Sequence, residues 1–251
     1  MNLNIPDTRQ RILARRLDDG LEIVAADAAT EFDVSLDTIR RDILALEAEG
    51  KAHRVRGGAV PISKPVAPLH SRLAGAGGIN PNIAHATISQ IGDASTLLVD
   101  GGSTTLGLIA HLSNFTGRLV MTPSPWVAIA CQENDIDVFL LGGKLSARGG
   151  IAVGGLALGK VADVTADIAI LGACGIDAEF GLSTDDYEEA QMKAAMHSAA
   201  ARTFVVTGAE KIGKRARHHT LHMNQIDLLI TDADQGATEL LTRSGDRVIT
   251  V

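Results

Sequence analysis

Two cysteines in 251 residues, Cys131 and Cys174, are too few for a disulfide framework, and neither belongs to a Cys-x-x-Cys pair. Both stand in apolar contexts, Ile-Ala-Cys and Gly-Ala-Cys, so buried thiols in a reduced protein are expected and redox or thiolate-metal chemistry is not. Long apolar runs are missing as well. Stretches such as Ile168 to Leu171 fall far below the ~18 residues of a membrane span, and no membrane partner is expected. The opening Met-Asn-Leu-Asn-Ile-Pro is not a basic-then-apolar leader, which points to a cytoplasmic protein. His218, His219 and His222 come close together but lack paired carboxylates or a known metal spacing, so neither a metal nor a cofactor is expected. Positive charge is also short: 23 Lys+Arg against 30 Asp+Glu leave a formal charge of −7. With 45% hydrophobic and 21% charged residues the chain is an ordinary globular protein, neither collagen-like nor disordered.

What basic charge there is clusters. Residues 1–60 hold 9 Lys+Arg and 11 Asp+Glu, yet Arg40, Arg41, Lys51, Arg54 and Arg56 all fall within one short span together with His53. They flank the last of three helical patterns: Thr8 to Asp18, the Ala-rich Ala25 to Phe32, and Leu36 to Glu47. In the third, Leu36, Ile39, Ile43 and Leu46 recur at i, i+3, i+7 and i+10 and the pattern stops at Gly50. Ser35 is placed to cap it. This is helix-turn-helix order, and Lys51 to Gly58 reads as a hairpin wing with a Gly57-Gly58 turn or exit. Ser35, Thr38, Arg40 and Arg41 on the third helix, with His53, Arg54 and Arg56 on the wing, are the candidate contacts to double-stranded DNA.

Gly and Pro then crowd the chain without sustained period, which reads as a linker over 61–82 between a DNA-binding unit at 1–60 and a second domain at 83–251. In that domain apolar runs alternate with helical patterns, from Thr96 to Val99 through to Arg247 to Val251. Such alternation implies an α/β fold with a mainly parallel sheet covered on both faces.

Four stretches after strands carry candidate chemistry. Asp100-Gly101-Gly102-Ser103-Thr104-Thr105 offers glycines for close backbone approach, hydroxyl donors and a following helix N-terminus, a set that suits a phosphate. It reads equally well as a strand-to-helix turn with its cap. Leu141-Gly142-Gly143-Lys144-Leu145, followed by Arg148, could close over an anion at a strand's carboxyl end, or could be a solvated loop. After Leu171-Gly172, the acids Asp185, Asp186, Glu188 and Glu189 favour the start of a helix, with Glu189 and Lys193 an ordinary i,i+4 pair; Glu189 is the preferred acceptor for sugar hydroxyls. Finally Lys211, in Thr207-Gly208-Ala209-Glu210-Lys211, could neutralise a phosphate.

Taken in order, these pieces resemble the DeoR family of bacterial transcription regulators over nearly the whole chain. The resemblance is carried by Val34-Ser35-Leu36-Asp37-Thr38-Ile39-Arg40-Arg41-Asp42 and Arg56-Gly57-Gly58-Ala59. It continues in Asp100-Gly101-Gly102-Ser103-Thr104, Leu141 to Leu145, Asp167 to Gly172, Glu189-Ala190 with Lys193, and Lys211-Ile212-Gly213. It implies a winged helix-turn-helix joined to an α/β sensor domain of the ribose-5-phosphate isomerase and CoA transferase type. It further implies that the protein works as a homodimer or homotetramer and leaves operator DNA on binding a phosphorylated sugar or polyol. Asp100, Gly102, Ser103, Thr104, Thr105, Lys144, Gly172, Glu189 and Lys211 would line the effector site. The chain departs from the family pattern at Gly208-Ala209-Glu210, at Pro123 and at Pro81-Asn82. The rival expectation is a sugar-phosphate isomerase or transferase with an N-terminal adaptor, since fold does not determine function. Against it, no acid/base pair stands out.

Overall fold

The computed structural model describes residues 5–18, 21–61, 69, 71, 73, 79–112, 115, 117–242 and 247–251. Its N-terminal unit comprises α1 (Pro6–Asp18), β1 (Ile23–Val24), α2 (Ala25–Glu31), α3 (Leu36–Ala48) and the hairpin β2 (Ala52–Val55) and β3 (Gly58–Pro61). The three strands form one antiparallel sheet in the order β1-β3-β2. Ser35 caps α3 as its position suggested: its hydroxyl accepts the Thr38 amide. The periodic residues Ile39, Ile43 and Leu46 turn inward onto Leu13, Leu17, Ala28 and Phe32. Asp42 shares that inward face and is buried against Arg9 with Gln10, whose amide donates to it over 2.9 Å. The wing turns at Arg56-Gly57, where Gly57 has φ +95°. Gly58 is already strand, and a Cβ there would stand 1.7 Å from the Ile23 carbonyl oxygen.

The second domain opens with α4 (Pro81–Ile91), so a helix begins inside the span 61–82 expected to be linker. Asn80 caps it and Pro81 sits in its first turn, where the missing N–H is harmless; the prolines and glycines before it hid this start. There follow β4 (Thr96–Val99), α5 (Ser103–Ile109), β5 (Leu119–Thr122), α6 (Pro125–Glu133) and β6 (Asp137–Leu140). A small hairpin, β7 (Lys144–Leu145) and β8 (Ala152–Val153), leads to α7 (Gly155–Ala162) and β9 (Ala166–Gly172). Then come β10 (Gly175–Asp177), β11 (Gly181–Thr184), α8 (Tyr187–Ser198), β12 (Ala200–Thr207), β13 (His218–Leu221), β14 (Leu228–Thr231), α9 (Gln235–Thr242) and β15 (Val248–Thr250).

Seven of these strands make one parallel sheet in the order β15-β14-β12-β9-β4-β5-β6. Ile168, Ala169, Ile170 and Leu171 are all fully buried because both faces of β9 are covered, by two separate apolar layers. Chain order and strand order part company at one place. From β4 the chain steps outward to β5 and β6, then returns to lay β9 on the other side of β4 and steps outward again. The carboxyl ends of β4 and β9 therefore flank the point where connections diverge, which is where open α/β sheets leave a crevice.

Candidate DNA interface and effector cavity

In the N-terminal unit, Arg40, Arg41, Arg54 and Arg56 line one cleft of about 750 Å³ between α3 and the wing, with Leu36, Asp37 and Leu44 between them. The inward turn of Ile39 and Ile43 is what presents Arg40 and Arg41 to solvent. Arg41 pairs with Asp37 at 3.1 Å and Arg54 with Glu47 at 3.6 Å, all four side chains well exposed and thus free to exchange partners for phosphate. Ser35 and Thr38 are less available than expected, since their hydroxyls bond each other at 2.8 Å in capping the helix. His53 is half-buried. Burial and the nearby Arg215 guanidinium hold its pKa below the ordinary imidazole range against the pull of Glu47, and it does not line the cleft that Arg54 and Arg56 share with α3.

In the second domain, the crevice between β4 and β9 holds a cavity lined by Asp100, Gly102, Ser103, Thr104, Thr105, Gly172 and Glu189, seven of the nine residues expected there. Lys193, Cys174, Thr184, Gly149 and Ile151 join them. Asp100 stands at the end of β4 and Gly172 at the end of β9, and the Gly172 amide donates to Asp100 Oδ2 over 3.1 Å. Gly101 has no room for a side chain: a Cβ would meet Ile151 at 2.1 Å. The reading of Glu189 and Lys193 as an ordinary i,i+4 pair is corrected here. Both are buried, and the Lys193 ammonium pairs with Asp100 and donates to the Gly172 carbonyl over 2.9 Å. The i, i+4, i+7 spacing of Glu189, Lys193 and the buried Met196 marked this inward face of α8.

Glu189 is held from a different side. Its carboxylate accepts the Gly149 amide at 2.8 Å and the Ser146 hydroxyl, and a Cβ on Gly149 would lie 2.5 Å from it. Burial pushes the Glu189 carboxyl above the usual range, against the opposing effects of Ser146 and Lys193. One oxygen of Asp100, Oδ1, is buried with no hydrogen-bond partner. The arrangement thus offers carboxyl oxygens for hydroxyl donors beside a Gly-Gly-Ser-Thr-Thr loop whose amides and hydroxyls suit an anion. The remaining two expected residues stand elsewhere. Lys144 is exposed on β7 and pairs with Glu188 at 3.2 Å, and Lys211 lies 3.8 Å from Glu210 on a 3-10 turn beyond β12. Neither lines the cavity, because the hairpin and the turn carry them away from the ends of β4 and β9. Among the described residues no group of three or more His, Cys, Asp or Glu could hold a metal ion, and no helix is long and apolar enough to cross a membrane.

Residues 9–64 match the DeoR-like helix-turn-helix domain and residues 81–233 the DeoR C terminal sensor domain. The chain belongs to the DeoR family. Among its relatives, the HTH-type transcriptional regulator GlpR of Haloferax volcanii is 29% identical over 98% of both chains. The glycerol-3-phosphate regulon repressor of Escherichia coli is 31% identical over 80% of this chain and 81% of its own. The HTH-type transcriptional repressor GlcR of Bacillus subtilis is 27% identical over 89% and 88%. Solved structures similar to part of the chain include ribose 5-phosphate isomerase A of Methanocaldococcus jannaschii, at 17% identity over 51% of each chain with a TM-score of 0.37. With its DeoR-type DNA-binding domain and relatives named as regulators, the protein is a DNA-binding transcription regulator and not an enzyme.

Proposed function

We propose that this DeoR-family regulator represses a carbohydrate or polyol catabolic operon in the cytoplasm as a homodimer or homotetramer, and that a phosphorylated sugar or polyol in the β4–β9 cavity releases it from operator DNA. The observation that carries the reading is the cavity itself. Buried Asp100 and Glu189 accept hydroxyls, Lys193 supplies positive charge at their side, and the loop from Gly101 to Thr105 receives the phosphate. The name of the Escherichia coli relative makes glycerol 3-phosphate the first probe.

The cavity holds only about 50 Å³, well below the ~300 Å³ and more of ordinary ligand pockets. Entry of an effector therefore displaces a wall, and the wall over Glu189 is the segment from Ser146 to Gly150. Its other side carries the chain that comes from the DNA-binding domain: the Leu69 amide donates to the Arg148 carbonyl over 2.9 Å, and buried Leu69 lies against Gly150. Lifting Gly149 off Glu189 thereby moves Leu69, which is how occupancy biases the DNA-binding arrangement.

Fluorescence anisotropy of the purified protein on its own upstream DNA, at fixed salt and against a panel of sugar and polyol phosphates, tests the reading. Specific binding is expected to weaken tenfold or more with one phosphate ester. It is also expected to fall with salt by a log–log slope of roughly −0.9 per phosphate neutralised, with a shallower slope in Arg41→Ala. Specific binding that no phosphate ester alters would refute the effector. Leu69→Asp should keep both ligands but reduce the effector's influence on DNA affinity to about twofold or less. The single tryptophan, Trp126, has its indole Nε1 3.3 Å from where a Gly150 Cβ would be, so its emission reports displacement of the segment directly.

A further inference from the structure

Among the described residues, the last strand of the sheet, β6, has a neighbour on one side only. Leu141 donates its amide to the Thr122 carbonyl over 2.8 Å, so by alternation along the strand the odd-numbered residues turn their backbone groups toward β5, while Val138 and Leu140 turn theirs outward. Soluble proteins protect such an edge with proline, lysine, a bulge or a covering element. This one has instead Asp-Val-Phe-Leu, with Phe139 45% and Leu140 46% exposed. Beside it, α6 packs over β6 and shows solvent Trp126 and Ile129, 46% and 51% exposed. The opposite edge of the sheet, β15, has only half-buried side chains.

We infer that the β6 edge is the contact with a second copy of this chain, the two β6 strands pairing antiparallel about a two-fold axis at Phe139. Resting on the homo-oligomer in the proposed function, this assigns its surface. In that register Val138 of one copy faces Leu140 of the other, so the outward amide and carbonyl groups of both strands are satisfied, and the two Phe139 rings meet on the axis. Charge agrees with this orientation. Exposed Glu133, Asp135 and Asp137 lead into β6 and exposed Lys144 follows its exit, so antiparallel pairing lays the acidic entrance of each copy beside the basic exit of the other. A parallel arrangement would set acid against acid, in a chain already carrying −7. In area, Trp126, Ile129, Phe139 and Leu140 offer on the order of 400 Å² of apolar surface per copy, the size of a functional patch. Strand pairing and its flanks raise this toward the ~800 Å² per partner of a stable interface. The contact is isologous and closes, as paired DNA half-sites require.

Sedimentation of the full-length protein, with two variants, tests the surface. Wild type should be dimeric or tetrameric at micromolar concentration, and Phe139→Asp, at an exposed position, should weaken self-association at least tenfold with unchanged circular dichroism. Under mild oxidation Phe139→Cys should form a covalent dimer, since residues opposite each other in a non-hydrogen-bonded pair lie about 4.5 Å apart between Cα atoms. Asp137→Cys, two residues off the axis, should not. A wild type that stays monomeric overturns the oligomer in the proposed function along with this surface. An oligomer that survives Phe139→Asp, or cross-linking no better at 139 than at 137, overturns the β6 surface alone.

Discussion

Asp42→Ala should unfold the DNA-binding domain while leaving the sensor domain folded, giving a protein that no longer binds operator at 37 °C. Asp42 lies on the inward face of α3 between Ile39, Ile43 and Leu46, and its partner Arg9 is 3% exposed on α1. Removing the carboxylate takes the Asp42 charge away from the buried Arg9 guanidinium and the Gln10 amide, and breaking such a buried pair costs about 3–5 kcal/mol. A winged domain of this size has little more than that in reserve, because small domains bury a smaller share of their surface. In calorimetry the transition of the N-terminal unit should drop by on the order of 15 °C, and that of the sensor domain should stay. Asp37→Ala is the contrasting variant. Its pair with Arg41 joins side chains 66% and 80% exposed and is worth under about 1 kcal/mol, so stability should hardly move. An unchanged melting profile for Asp42→Ala would show that the buried pair does not hold α1 to α3.

Lys193→Met should abolish the response to effector. The Lys193 ammonium is the only cationic group among the described residues lining the cavity, and it neutralises Asp100, which is itself fully buried. With the ammonium gone, the buried Asp100 carboxylate has lost its counter-charge, so a site built to receive hydroxyls on it is rearranged. Truncating one member of such a pair costs about 2–5 kcal/mol, which corresponds to a loss of effector affinity of roughly 30-fold or more. Operator binding without effector should stay within about threefold of wild type. The double variant Asp100→Asn with Lys193→Met separates stability from recognition: it removes both buried charges, so the melting temperature should recover, and the effector response should not. Titration of Trp126 emission and of DNA anisotropy with glycerol 3-phosphate reads both; a full response in Lys193→Met would remove Lys193 and Asp100 from the effector site.

Local chemistry made much of this protein legible from its residues alone. Helix α3, its Ser35 cap, the outward Arg40 and Arg41 and the wing follow from a 3.6-residue period and a turn at glycine, which act over a few neighbouring residues. The strand-helix alternation likewise implied a parallel sheet, because a strand followed by a helix returns to the same side of its neighbour. The loop at Asp100 to Thr105 stood out because glycines and hydroxyls after an apolar strand suit an anion wherever they occur. In one case, at α4, local signals misled: Pro81 reads as linker until Asn80 is seen to cap a helix there.

Only the tertiary structure decided which of these groups meet. Strand order put β9 beside β4, and with it Gly172 and, from α8, Glu189 and Lys193 against Asp100, residues 72 to 93 positions away in the chain. The same order carried Lys144 and Lys211 out of the cavity although their glycine-lysine contexts resemble ligand loops. It also set Ser146 and Gly149 over Glu189, left β6 at an edge of the sheet, and brought Leu69 against Arg148 and Gly150. Periodicity specifies which face of an element is apolar, but it leaves undetermined which element covers that face. That depends on how two apolar layers close over one sheet, a global packing problem in which each side chain's partner is set by residues distant in the chain.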